Sequence, residues 1–116
     1  MSTHLFGLTS RTYKHSHAVG RAEFAGTGFR NPTDMAIAPD GTVYVCNRPY
    51  ENRPDGVHIT AVTLDEEYIT EFGAYGEADG EFMWPTAVAL DSKGNLYLAD
   101  EWLNRISKFT KDGEFV

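Results

Sequence analysis

Arg30, Arg48 and Arg53, with Tyr50, Trp84 and Trp102, are the side chains in this sequence best suited to recognising another molecule. Guanidinium groups offer a fixed fork of donors and aromatic rings a large rigid face, and both anchor interfaces well. Groups that could make or break bonds are sparser. His15 and His17 lie two residues apart, so on a strand they share one face, a spacing a metal ion could use. No third ligand follows nearby, and no metal site is assigned. Asp100 followed by Asn104 and Arg105 has the ingredients of an acid–base pair. Asp65, Glu66 and Glu67 read as a charged hairpin tip rather than a catalytic pair. The sequence has no Ser-His-Asp order, no phosphate-binding glycine loop and no zinc motif. It names no catalytic residue and leaves the cofactor unknown.

These side chains have to be carried by short strands. Residues 84–109 hold two apolar runs, 87–90 and 96–99, separated by Asp91-Ser92-Lys93-Gly94-Asn95. A third run, 105–109, alternates polar and apolar. Runs this short, rich in Val, Leu, Tyr and Ile and punctuated by Gly, Asn and Asp, predict strands joined by tight hairpins. Gly94 supplies the positive φ that such a turn needs. Neither of the first two runs alternates cleanly, so both their faces are expected to be buried. In an antiparallel hairpin that implies sheet stacked on sheet.

The pattern occurs twice. Residues 31–47 align without a gap on residues 84–100 at a constant offset of 53, with Pro, Thr, Gly and Tyr identical and the apolar strand positions kept apolar. Residues 59–63 match 106–110 at an offset of 47, so the first copy carries 6 extra residues between its second and third strands. A period in this range, built of short strands, marks a propeller blade. Strands are predicted near 34–38, 42–47, 57–64 and 67–72, then 86–90, 95–99, 105–110 and 114–116. Ahead of them, residues 1–11 read as loose and 12–28 as one exposed strand, residues 12–19, with a lead-in loop. The blades occupy 29–73 and 74–116, the outer strand of the second being cut short. No helix is expected.

At 116 residues, with 41% hydrophobic and 23% charged, the chain makes one domain at most. No apolar run is long enough for a membrane span, and the first residues lack the pattern of a secretory signal, so a cytoplasmic protein is expected. Cys46 stands where the second copy has Ala99, which predicts a buried small apolar residue. The net charge of −7 opposes broad binding to phosphate backbones.

Residues 85–109, Pro-Thr-x-Val-Ala-x-Asp-x-x-Gly-Asn-x-Tyr-Leu-Ala-Asp-x-x-x-Asn-Arg-Ile-x-x-Phe, resemble an NHL repeat. The first copy is a divergent match, with Asn47 in place of the usual Asp and Val57-His58-Ile59 in place of Asn-Arg-Ile. The resemblance implies an all-β fold: an NHL-type β-propeller segment of two four-stranded antiparallel blades plus an N-terminal strand, about a third of a six-bladed ring. In many such propellers a strand from the start of the chain completes the last blade, a role open to residues 12–19. In a repeat of this type Asp100 shapes a turn by accepting backbone N–H bonds, and Arg105 pairs between strands or blades.

Two blades cannot bury their own flat sides. The chain is therefore expected to be part of a longer protein, the alternative being self-association of three copies to close the ring. The insertion at 48–56 and the lead-in loops gather on one face with Phe29, Arg30, Glu101 and both tryptophans. Arg30, Arg48, Tyr50, Arg53, Trp84 and Trp102 are the expected binding residues, and a protein, peptide or small polar ligand is the expected partner. The function that follows is a binding scaffold. The alternative is part of a propeller enzyme resembling peptidyl-hydroxyglycine amidating lyases or streptogramin-type lyases, with its site at the central channel. Nucleic acid is not expected: Asp34, Glu51, Asp55 and Glu101 offset the arginines of the loop face.

Overall fold

The fold is known from a computed structural model that describes residues 11–20, 28–49 and 56–116, and the backbone of 4–5 and 8–9. The first repeat forms an antiparallel meander of β3 (Pro32–Ile37), β4 (Val43–Asn47), β5 (His58–Val62) and β6 (Tyr68–Phe72), ordered as in the chain. The second forms β9 (Pro85–Leu90), β10 (Leu96–Asp100) and β11 (Arg105–Phe109) in the same order. Its outer strand is a stub, one antiparallel bridge from Phe115 to Phe109. Both repeats shift register at the same place, the Pro-Thr dipeptide. Pro32 pairs with Asn47 and Asp34 with Cys46, while Pro85 pairs with Asp100 and Ala87 with Ala99. The threonine is the extra residue of a bulge, and its hydroxyl donates to the partner strand, Thr33 to Cys46 O and Thr86 to Ala99 O.

The β3–β4 and β9–β10 turns are built alike. Gly41 (φ 92°) and Gly94 (φ 85°) take the left-handed position, and Asp40 and Asp91 accept the N–H two residues on. Asp91 also accepts from the Asn95 backbone, the Asn95 amide and the Tyr97 hydroxyl. These bonds, the Asn95 side chain first, lower its pKa from 3.8 to about 2. A lowered carboxylate pKa stabilises the fold fully above 3.8, and that contribution is lost as pH falls through about 2. Asp91→Asn is expected to flatten the pH dependence of stability within that window, and a carboxyl titration followed by NMR should place the wild-type midpoint near its lower end.

The blades stack face to face. Tyr44, Cys46, Ile59 and Ala61 of the first pack on Val88, Leu96, Leu98 and Phe109 of the second, with Phe82 between them. One hydrogen bond crosses the joint from Val88 N–H to the Asp34 carboxylate at 2.9 Å, and another from the Tyr44 hydroxyl to Lys111 O at 3.1 Å. Cys46 is fully buried, as its alignment with Ala99 predicts, and burial pushes its thiol up to about 12.

Four features differ from expectation. Residues 12–19 make no ladder among the described residues: they run exposed, and only Val19 packs, with Phe29, against Val43, Val45 and Val62. A strand needs an open edge to pair with, and this one lies over a sheet face instead. Phe29 accordingly belongs to that face and not to the loop face. Within 1–11, β1 (His4–Leu5) and β2 (Leu8–Thr9) form a two-rung hairpin where no structure was expected. The lead-in to the second blade contains a short parallel pair, β7 (Ala74–Tyr75) with β8 (Glu81–Phe82), too brief to leave a periodic signal. Finally, β4 and β5 are buried on both faces, but β9 and β10 each bury one side and leave the other part exposed, because no described residue covers the far side of the second blade.

Candidate functional site

Asp100 ends β10 and is 3% exposed. One oxygen accepts from Met83 N–H at 2.6 Å; the other accepts from Trp84, Trp102 and Leu103 at 3.3, 2.9 and 3.0 Å. The carboxylate thus ties the loop entering the blade to the turn after β10, as the repeat pattern predicts. Asn104 completes that turn in the left-handed region (φ 53°), which asparagine tolerates better than most residues. Arg105 donates to Glu77 O, Ala78 O and Glu81 O at 2.9–3.0 Å and fastens the lead-in loop of its own blade. Among the described residues, the hydrogen bonds of Asp100 and Arg105 named here all go to backbone groups and none to a side chain that could exchange a proton.

In the first blade Asn47 holds the equivalent place. Its carbonyl oxygen accepts from Arg30 N–H at 2.9 Å, as Asp100 accepts from Met83. Its amide donates inward to Val45 O, His58 O and the Thr60 hydroxyl. His58, at the position of Arg105, is buried with Nε2 3.4 Å from the Glu71 carboxylate. Burial lowers its pKa and Glu71 opposes that shift.

Because Asp100 fixes the backbone of both Trp84 and Trp102, the two indoles stand together on the loop face. With Glu101 they line a hollow of about 360 Å³. The Arg48 guanidinium lies 5.2 Å from the centroid of the Trp84 ring, a cation–π contact made across the joint between blades. Trp84 is half-buried there, so it packs between blades and still borders the hollow, whereas Trp102 is 67% exposed. The structure therefore brings Arg48, Trp84 and Trp102 together. Arg30 sits on the lead-in of the first blade and is not among the residues lining the hollow. Tyr50 and Arg53 lie outside the described residues. Glu101 is the acid this arrangement adds beside the rings. His15 and His17 are both exposed, and no three His, Cys, Asp or Glu groups converge among the described residues.

Two stacked antiparallel meanders, each with its connecting loops gathered on one face, make this chain a two-blade segment of a β-propeller. A streptogramin B lyase structure superposes with a TM-score of 0.54 at 18% identity, covering 76% of this chain and 26% of the lyase. That likeness shows the fold. No protein-family model matches the chain. Among curated proteins it is similar to human NHL repeat-containing protein 3, 28% identical over 91 residues, which is 76% of this chain and 25% of that protein. The chicken E3 ubiquitin-protein ligase TRIM71 is 34% identical over 80 residues, 64% of this chain and 9% of the ligase. Protein lin-41 of Caenorhabditis elegans is 40% identical over 48 residues, 41% of this chain and 4% of lin-41. In sequence the propeller segment is similar to proteins that carry NHL repeats. It spans a quarter or less of the length of these three curated relatives. Among the described residues no helix is long and apolar enough to cross a membrane.

Proposed function

We propose that the chain is part of a propeller, six-bladed as the NHL resemblance implies, that binds a protein or peptide on its loop face. The observation that supports this most is the open hollow lined by Trp84, Glu101 and Trp102, with Arg48 stacked on Trp84 beside it. Arginine and tryptophan are the residue types that most often carry interface energy, since they present large rigid surface and lose little entropy on contact. Trp102 has the exposure of an anchor awaiting a pocket or a stacked side chain, and Glu101 favours a partner that brings a donor or a positive charge. Arg30, Tyr50 and Arg53 are included in the proposed surface on the sequence alone. The likeness to TRIM71 and NHL repeat-containing protein 3 adds weight to protein binding, while the lyase alternative has only shared architecture behind it.

Peptides selected from a random displayed library on the wild-type chain provide the test. Trp102→Ala and Arg48→Ala should each weaken the selected peptides about tenfold or more, the size of a hot-spot loss. Lys93→Ala, on the hairpin face opposite, should leave them unchanged. Equal binding by all three variants would remove the loop face from consideration.

A further inference from the structure

The joint between the two blades is asymmetric, and both halves of it are present a second time, one uncovered and the other covered in part. The first blade enters the joint with Ala36, Tyr44, Cys46 and Ile59. The same positions in the second blade are Ala89, Tyr97, Ala99 and Ile106, which lie on its far side, where Ile106 is 71% exposed. The second blade enters the joint with Val88, Leu90, Leu96 and Leu98. Their counterparts in the first blade are Met35, Ile37, Val43 and Val45, on its outer side. Val19 and Phe29 cover the two valines, but Met35 stays 57% and Ile37 52% exposed beside a groove of about 450 Å³.

We propose that a second copy of this chain docks its Ile106 side on the Met35 side of the first, repeating the internal joint head to tail. In the internal joint the small Ala36 packs in one cluster with the large Val88 and Leu90. In the proposed joint its counterpart Ala89 meets Met35 and Ile37, with Asp91 at the place of Ala38. One polar feature carries over and one does not, since Ala87 stands where Asp34 accepts from Val88 N–H in the internal joint. Thr33 donates across the internal joint to Pro85 O at 3.4 Å, and Thr86 stands ready to do the same to Pro32 of the next copy. Where Arg48 covers Trp84, the equivalent pair is Glu101 and Asn31, so an acid is set opposite the edge that carries Arg30. A contact of this kind uses two different faces, so copies add in one direction until the ring closes. With two blades per chain and roughly four to eight blades per propeller, closure takes about two to four copies, three for a six-bladed ring.

Ile106 and Met35 are exposed, so charging either leaves the fold of the single chain intact, which circular dichroism verifies. Sedimentation of the 116-residue chain should show one closed species of fixed copy number. Ile106→Glu and Met35→Glu should each sediment as monomers. Mixed in equal amounts they should form a dimer, because one retains a good Met35 side and the other a good Ile106 side. A wild-type chain that is monomeric, or that forms particles of no fixed size, overturns the proposal. So does a mixture of the two variants that stays monomeric, since that is the behaviour of a symmetric contact.

Discussion

Replacing Phe109 by alanine is expected to lower the unfolding free energy by about 3–5 kcal/mol, the usual cost of removing a buried phenylalanine ring. Phe109 is 1% exposed, and its ring centroid lies 5.3 Å from that of Phe72, 6.2 Å from Phe82 and 6.0 Å from Phe115. Those three partners come from the outer strand of the first blade, the lead-in loop and the terminal stub. One truncation therefore loosens three attachments at once. The backbone bonds of the stub, Thr110 N–H to Glu114 O at 2.8 Å and Val116 N–H to Lys108 O at 2.9 Å, do not involve the ring, so the loss is one of packing. Urea unfolding followed by circular dichroism should show the midpoint falling with the slope unchanged, and Phe109→Leu should recover roughly half of the loss. Ile106→Ala, three residues away on the uncovered side, should cost little in the monomer. If Phe109→Ala and Ile106→Ala unfold at the same urea concentration, the blades do not share the core described here.

That contrast between Phe109 and Ile106 was only partly legible in the sequence. Both are apolar residues of one strand, and the repeat pattern placed the strand correctly. Which side is covered depends on how many blades stand beside it, and local periodicity is blind to that. The run 87–90 lacks alternation because a blade inside a ring is covered on both sides. Here one side is open, so the residues are apolar and exposed together. The inner-strand turns were readable because their geometry is written locally, in Asp91, Gly94 and Asn95. The Pro-Thr identity between repeats was visible, yet its meaning, a bulge with the threonine hydroxyl turned to the partner strand, needs the register of the pair.

The loop face was legible in outline and not in contact. Topology puts Arg48, Trp84 and Trp102 on one side of the molecule, but the stacking of Arg48 on Trp84 joins residues from different blades and follows only from the packing of one sheet on the other. Phe29 was assigned to the same face because it precedes the first strand. Its ring is instead drawn onto Val43 and Val45, which have no blade of their own to cover them. The role of Asp100 was readable through the NHL resemblance, which implies that the aspartate ending the second strand shapes the turn after it.

Asp100→Ala is expected to cost about 3 kcal/mol, because four backbone N–H groups lose one ionised acceptor and hydrogen bonds to charged groups contribute about 1.5–3 kcal/mol each without adding fully. Asp100→Asn should fall between the wild type and Asp100→Ala. The single carbonyl oxygen of the introduced amide can replace one carboxylate oxygen, and its NH₂ group would then point at N–H groups that need an acceptor. Asn47 succeeds at the equivalent place because its amide faces Val45 O, His58 O and the Thr60 hydroxyl, all acceptors. The reverse change, Asn47→Asp, should therefore also destabilise, by setting a carboxylate against those same oxygens. The chain has 2 tryptophans, Trp84 and Trp102, and both are placed by Asp100, so emission reads the site directly. In Asp100→Ala the emission should shift red, and peptide binding on the loop face should fall, at urea concentrations where circular dichroism still shows intact strands. An Asp100→Ala chain that keeps both the wild-type urea midpoint and the wild-type emission would mean that the carboxylate does not organise this face.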